Sequence, residues 1–174
     1  MDIQKEPDWT VITDASAFGW SVIIICMQSG RITQQRGVWG PEHAQYDLRS
    51  SVTTESLCIA KAAEIIGAIP CVKTEGRNHI RVISDHAGAV FALERGYAWA
   101  PAYAHMLRTV VEYGLAVSVR FVKGVLNAAD GGSRQTGGPD ATGQEIETCV
   151  GAAVRTEEMA GRQKKRSRSE VWME

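Results

Sequence analysis

The chain has 174 residues, 44% of them hydrophobic, which suits a single domain of ordinary size with a real hydrophobic core. Its formal net charge of −1 means that the overall electrostatic field predicts no partner of either sign. Basic residues nevertheless crowd the end of the chain, as Arg162, Lys164, Lys165, Arg166 and Arg168.

Cysteine usage and apolar patterning exclude three further classes of protein. The cysteines form no CxxC pair, and Cys26 and Cys58 lie in apolar runs, so we expect buried free thiols of a reducing compartment rather than a zinc site or a disulfide framework. The start of the chain is polar, and no apolar run approaches the roughly 20 residues that span a bilayer. The sequence therefore predicts an intracellular protein, cytoplasmic or nuclear, with no membrane partner.

The predicted elements alternate in type after an all-strand beginning. Three β-branched or alternating segments come first, joined by the short turns AFG and QSG, which makes them antiparallel neighbours. An Ala-rich, mostly apolar segment then predicts a buried helix, and strands and helices alternate beyond it. The predicted strands span residues 9–16, 20–27, 31–39, 80–85 and 116–124, and the predicted helices span 53–69, 87–96 and 101–114, with a short last helix in 127–134.

The order of these elements, β-β-β-α-β-α-α-β-α, decides the fold class. Alternating strands and helices require parallel crossover connections, whereas short turns require antiparallel pairing. The sequence thus predicts an α/β protein with a mixed five-stranded sheet flanked by helices.

Beyond Arg134 the composition changes. Residues 135–143 are rich in Gly, Pro and Thr and predict a linker, and residues 144–159 predict a marginal helix weakened by Gly151. The segment GRQKKRSRSE is polar and basic and is predicted to be disordered. We therefore expect a catalytic domain over residues 1–134 and a linker, marginal helix and basic tail over 135–174.

Four acidic residues fall at the ends of the predicted elements. Asp14 and Asp85 end strands, Glu55 stands in the first turn of the long helix, and Asp130 opens the last helix. If the two strands are parallel neighbours, their acids emerge at the same sheet edge, where open α/β sheets place their sites. Carboxylates gathered there repel one another unless cations neutralise them, and oxygen ligands suit Mg²⁺ or Mn²⁺. We predict that all four are catalytic metal ligands around two ions, which can activate water against a phosphodiester.

Each acid taken singly has an ordinary structural explanation. Asp14 can be a turn residue before AFG, and Glu55 can complement the positive end of a helix. Asp85 can be the N-cap of the helix that follows it, and Asp130 can form a capping pair with Asn127. Their joint placement at one predicted edge favours the metal site over four separate explanations.

The four segments that carry these acids also resemble, in order, the motifs of a known family. TDASAFGW is similar to the first catalytic strand of retroelement enzymes, and TTESLCIAKAA to the helix that carries their catalytic glutamate. VISDH is similar to the fourth strand with its aspartate, and FVKGVLNAADGGSR to the closing motif of retrotransposon enzymes. Over roughly residues 9–134 the chain resembles the RNase H family, and more narrowly the RNase H domains of LTR- or DIRS-like retrotransposon reverse transcriptases.

The resemblance implies both a fold and a reaction. The implied sheet order is 3-2-1-4-5, and the implied reaction is hydrolysis of the RNA strand of an RNA–DNA hybrid. Asp14 would bridge both metals, and Asp130 would help to hold the metal that activates water. Glu55 and Asp85 would hold the metal on the leaving-group side, with Glu55 near the ribose 2′-hydroxyl. An adjacent reverse-transcriptase domain in a parent polyprotein is the implied partner besides the hybrid.

Two departures from the family pattern leave other functions open. The loop KGVLN lacks the histidine that many cellular enzymes carry before the last aspartate, and the stretch 94–108 holds only Arg95 and Arg108 as cations for gripping nucleic acid. One alternative is a catalytically weak or inactive module that serves as a structural or nucleic-acid-binding part of a larger assembly. Another is an integrase- or resolvase-like nuclease on the same fold, which fits the last motif less well.

Overall fold

The structure, a computed structural model, describes residues 6–69, 78–96, 100–134 and 139–153. The basic segment of the tail lies outside these residues, as does Cys71. Within them, no helix combines the length and the apolar character that a bilayer crossing demands. Cys58 and Cys149 are buried free thiols, whereas Cys26 is half-buried.

Five strands form one sheet in the order β3-β2-β1-β4-β5, so the predicted order 3-2-1-4-5 is confirmed. The first three strands pair antiparallel, and β1–β4 and β4–β5 pair parallel, as the short turns and the helical crossovers predict. The strands are β1 Trp9–Ala15, β2 Gly19–Cys26, β3 Ile32–Val38, β4 Asn78–Ser84 and β5 Leu115–Phe121.

The register between the two central strands aligns two of the acids. Ile12 of β1 pairs with Ile83 of β4 in the parallel ladder. Asp14 and Asp85 each lie two residues beyond that pair, and side chains two residues apart share a face of the sheet. Both acids therefore reach the carboxyl edge of the sheet from neighbouring strands.

The predicted helices all form, with one shifted start. They are α1 Ser51–Gly67, α2 Ala87–Arg95, α3 Pro101–Glu112 and α4 Asp130–Arg134. The start predicted for α1, residue 53, is two residues late, because the backbone N–H groups of Thr53 and Thr54 already donate to Ser50 O. Gly96 ends α2 in the left-handed region, with φ of 63°, which glycine adopts without strain.

The sheet buries a core on each face. On one face, residues such as Val11 and Val82 pack with α1, α2 and α3. On the other face, Ile12, Ile23 and Ile83 pack with side chains of a further helix, α5, described over residues 143–153. The alternation of Val11 and Ile12 between the two cores is the period of two that a strand buried on both sides requires.

The segment predicted as a linker and marginal helix contributes to this second core. Gln34 of β3 donates from Nε2 to Ala141 O at 2.8 Å and accepts from Ala141 N at 2.9 Å. Thr142 and Glu145 then start α5 with reciprocal side-chain to backbone hydrogen bonds, the capping-box arrangement. The packed unit therefore includes residues 139–153, and the domain boundary expected after residue 134 stays a prediction.

Substituting Ile146 with alanine tests how much α5 contributes to stability. Ile146 is 3% exposed and packs in the second core, so Ile146→Ala should lower the free energy of unfolding by about 2–5 kcal/mol. Val111→Ala, at a position 76% exposed on α3, is the control and should stay within about 0.5 kcal/mol. Equal urea midpoints for the two variants would contradict packing of α5 on the sheet.

Candidate metal centre

Asp14 lies within β1 and is not a turn residue. It pairs with Ser21 across the β1–β2 ladder and is 4% exposed. The turn is made instead by Ser16, whose backbone N–H donates to Gly19 O and whose hydroxyl accepts from Gly19 N at 3.3 Å. The carboxylate of Asp14 is therefore available for another purpose than closing the turn, and it accepts a hydrogen bond from Ser133 Oγ at 2.6 Å.

Asp85 follows β4 directly but does not cap α2. The N-cap is His86, whose Nδ1 accepts from Ala89 N at 3.0 Å. The N-cap explanation for Asp85 is therefore wrong, because the imidazole of His86 occupies that position. Burial raises the pKa of Asp85, a side-chain hydrogen bond with Asn127 lowers it, and the charge of Asp130 raises it again, with a net upward shift.

Glu55 lies deeper in α1 than predicted. With the helix beginning at Ser51, Glu55 is its fifth residue, so its position does not serve the helix N-terminus. It is 5% exposed, and its Oε1 accepts from Ala15 N at 3.3 Å. Its other oxygen, Oε2, is buried and has no hydrogen-bond partner among the described residues. A buried carboxylate oxygen without a donor is costly, which requires either a proton or a cation.

The three acids converge. One carboxylate oxygen each from Asp14, Glu55 and Asp85 lies within 4.8 Å of the other two. Burial raises the pKa of Glu55 to about 9, and the negative charges of Asp14 and Asp85 add to the shift. Without a cation, Glu55 is therefore protonated at neutral pH. An all-oxygen donor set with an unpaired buried oxygen fits a hard divalent cation, which would allow all three groups to ionise.

Asp130 is not part of this group of three. It is the half-buried first residue of α4, and its charge acts on Asp85. In the expected capping pair, the Asn127 side chain would accept from the backbone N–H of Asp130. Instead, Asn127 Oδ1 accepts from Ala129 N at 3.0 Å. The metal-ligand and catalytic role predicted for Asp130 stays a prediction.

Two buried side chains around the acids were not predicted. Ser133 Oγ holds Asp14, and Asn127 Nδ2 donates to Thr13 O at 3.0 Å while also bonding to Asp85. Both residues stand in the segment NAADGGSR, three residues on either side of Asp130, with Asn127 before α4 and Ser133 within it. The resemblance of FVKGVLNAADGGSR to a closing motif was the sequence signal that could have found them.

The comparisons with known proteins identify a fold. No protein-family model and no curated protein matches this chain. The N-terminal RNase H domain of a Mycobacterium tuberculosis protein superposes with a TM-score of 0.54 at 10% identity, covering 85% of this chain and 99% of that one. An RNase H1 isolated from compost, solved in complex with an RNA/DNA hybrid, gives a TM-score of 0.54 at 13% identity, covering 71% and 91%.

These likenesses show that the chain has an RNase H-like fold, as predicted. At identities of 10% and 13% they show the fold alone. The foamy virus protease–reverse transcriptase gives a TM-score of 0.44, which is too low to bear on the predicted reverse-transcriptase context.

Proposed function

We propose that this protein is a metal-dependent endoribonuclease that cleaves the RNA strand of RNA–DNA hybrids. The observation that supports it most is the meeting of Asp14, Glu55 and Asp85 within 4.8 Å at the carboxyl edge of the sheet. The RNase H-like fold adds support, since ligand sites of open α/β sheets lie at this edge.

In this proposal Asp14, Glu55, Asp85 and Asp130 hold two Mg²⁺ or Mn²⁺ ions. When bound, such a pair of ions supplies an activated water and stabilises the leaving oxygen of the phosphodiester. Glu55 enters the reaction ionised, so it loses the proton that burial and its two acidic neighbours favour. Asp130, outside the group of three, would complete the ligand set from α4.

The site has few basic residues to bind the phosphates of a nucleic-acid substrate. The stretch 94–108 holds Arg95 and Arg108 as its cations, and Arg95 stacks over the ring of Phe91 at 5.0 Å. Because phosphate contacts dominate nucleic-acid affinity, the isolated protein should bind hybrid weakly and lose binding as salt rises. An adjacent reverse-transcriptase domain in a parent polyprotein, inside the cell, would supply further contacts. That context rests on the sequence motifs.

The experiment is cleavage of an end-labelled RNA–DNA hybrid with Mg²⁺, with Mn²⁺ and with EDTA, beside double-stranded DNA and double-stranded RNA of the same sequence. We expect internal cuts in the RNA strand of the hybrid that need a divalent ion. Folded protein that cuts nothing with either ion would overturn the proposal. Preference for duplex DNA would favour an integrase- or resolvase-like nuclease.

A second candidate is a catalytically weak or inactive module that binds nucleic acid or serves as a structural part of an assembly. The few cations of the stretch 94–108 favour it, because phosphate contacts dominate nucleic-acid affinity. The absence of histidine from the loop before Asp130 points the same way. Hybrid binding without metal-dependent cleavage would support this candidate, and cleavage would exclude it.

A further inference from the structure

Ser133 makes a short, buried hydrogen bond to a proposed metal ligand. Its hydroxyl donates to Asp14 Oδ2 at 2.6 Å, and both residues are nearly inaccessible, at 3% and 4% exposed. A distance in this range is typical of a hydroxyl that donates to an ionised carboxylate, which makes a stronger bond than a neutral acceptor does. The same hydroxyl lies 3.2 Å from Asp130 O, but it has one proton, and the nearer acceptor, Asp14 Oδ2, takes it.

Other contacts already dock α4 on the sheet. Ser16 Oγ donates to Ser133 O at 2.6 Å, and Asn127 Nδ2 donates to Thr13 O at 3.0 Å. Gly132 lies so close to the side chain of Ser21 that a Cβ at this position would clash with it. The bond from Ser133 to Asp14 is therefore not needed to fasten the helix, and it acts instead on the orientation of a carboxylate.

A hydrogen bond to one oxygen of a carboxylate fixes the rotation of the whole group. With Oδ2 held by Ser133, the plane of the Asp14 carboxylate is set relative to Glu55 and Asp85 before any cation arrives. Groups that orient a ligand in this way typically account for about 10–100-fold of metal affinity.

We propose that Ser133 is a positioning residue that holds the Asp14 carboxylate ready to bind a divalent cation. The proposal rests on the metal centre of the proposed function and adds a residue to it. It also couples α4, the helix that begins with Asp130, to the ligand on β1. A change that shifts α4 would then alter the geometry of Asp14 directly.

The test is calorimetric titration of the full chain with Mg²⁺ and Mn²⁺, without nucleic acid. Ser133→Ala should weaken binding by about 10-fold or more, and Ser133→Thr, which keeps the hydroxyl, should recover most of the loss. Ser16→Ala is the matched control, because it removes a hydrogen bond of equal length that ends on the backbone of Ser133 rather than on Asp14. It should stay within about 3-fold of wild type. If Ser133→Ala does not fold, Ser133→Cys, a weaker donor of similar size, takes its place with Mg²⁺ as titrant.

The outcomes separate this proposal from the proposed function. If wild type binds the cation and Ser133→Ala binds it equally tightly, the role of Ser133 is overturned and the metal centre is retained. Equal losses in Ser133→Ala and Ser16→Ala would show that only the docking of α4 matters, and would also overturn it. A wild-type protein that binds neither ion would overturn the metal centre and the role of Ser133 together.

Discussion

Replacing Asp14 with asparagine is expected to lower hybrid cleavage by more than about 100-fold while the protein remains folded. Loss of a group that merely orients a ligand costs about 10–100-fold, so loss of a central ligand should cost more. The fold should tolerate the change, because an asparagine oxygen can still accept the hydrogen bond that Ser133 donates. Glu55 is protonated in the metal-free protein at neutral pH, so the loss of the Asp14 charge should leave the melting temperature of the metal-free variant close to that of wild type. Initial cleavage rates and thermal melting in EDTA measure the two effects.

Asp8→Asn is the matched control for this variant. Asp8 immediately precedes β1 at the opposite edge of the sheet, where its carboxylate accepts from His79 N at 2.9 Å. The same chemical change at that distance from the acids should leave the cleavage rate within about 2-fold, since Asp8 lies at the other end of β1 from Asp14. Cleavage by Asp14→Asn at the rate of Asp8→Asn would refute the role of Asp14.

Without divalent ions, the stability of the wild-type protein is expected to fall as the pH rises from about 5 to 9. The pKa of Glu55 is raised from 4.5 to about 9 in the folded protein, so the folded state keeps a proton that the unfolded state releases above about pH 4.5. The stabilisation is complete below that pH and is lost as the pH rises toward the folded pKa. The loss is up to about 1.4 kcal/mol for each pH unit in this window.

Glu55→Gln should remove most of this dependence, because glutamine carries no titrating proton. A residual slope of the same sign is expected from Asp85, whose pKa is also raised. Glu64→Gln, on the same helix but beside Lys61 at the surface, should follow the wild-type curve. Melting temperatures in EDTA across this range measure the effect, and a flat wild-type profile would contradict the burial of an ionisable Glu55.

Adding Mn²⁺ should stabilise the wild-type protein more at high pH than at low pH, which opposes the loss of stability seen without metal. A cation that displaces the proton from Glu55 binds more tightly at higher pH, so the metal-induced rise in melting temperature should be larger at pH 8 than at pH 6. In Glu55→Gln the metal-induced rise in melting temperature should be small at both pH values, since the variant has lost a charged ligand.

The type and order of the elements were predictable because their signals are local. The first strand alternates side chains between two cores, and the turn after Cys26 is short enough to force an antiparallel return, with Gly30 at φ of 73°. Parallel pairing of the next strand followed from the crossover helix. The alignment of Asp14 with Asp85 is a consequence of that topology, so it too was accessible from the sequence.

Local helix propensity underestimated how much α5 contributes to the core, because it does not include tertiary packing. Gly151 and the short length of the segment make a weak isolated helix, and most helical stability in proteins comes from packing of the apolar side. Ile146, Cys149 and Ala153 form that apolar side, but only the folded sheet, whose second face is apolar, shows that they have a partner. Local propensity therefore predicted a marginal helix where tertiary contacts complete a core.

By itself, the sequence determined the α/β architecture, the order of the strands' types and the identity of the acids at their ends, because spacing, turn chemistry and alternation act over a few residues. Only the tertiary structure decided that Glu55 is buried with an unpaired oxygen, that Asp14, Glu55 and Asp85 come within 4.8 Å of one another, and that Ser133 holds Asp14 across 119 residues of chain. Those features depend on how α1 and α4 dock against the sheet edge. Docking is settled by the combined packing of distant segments, which no local pattern encodes.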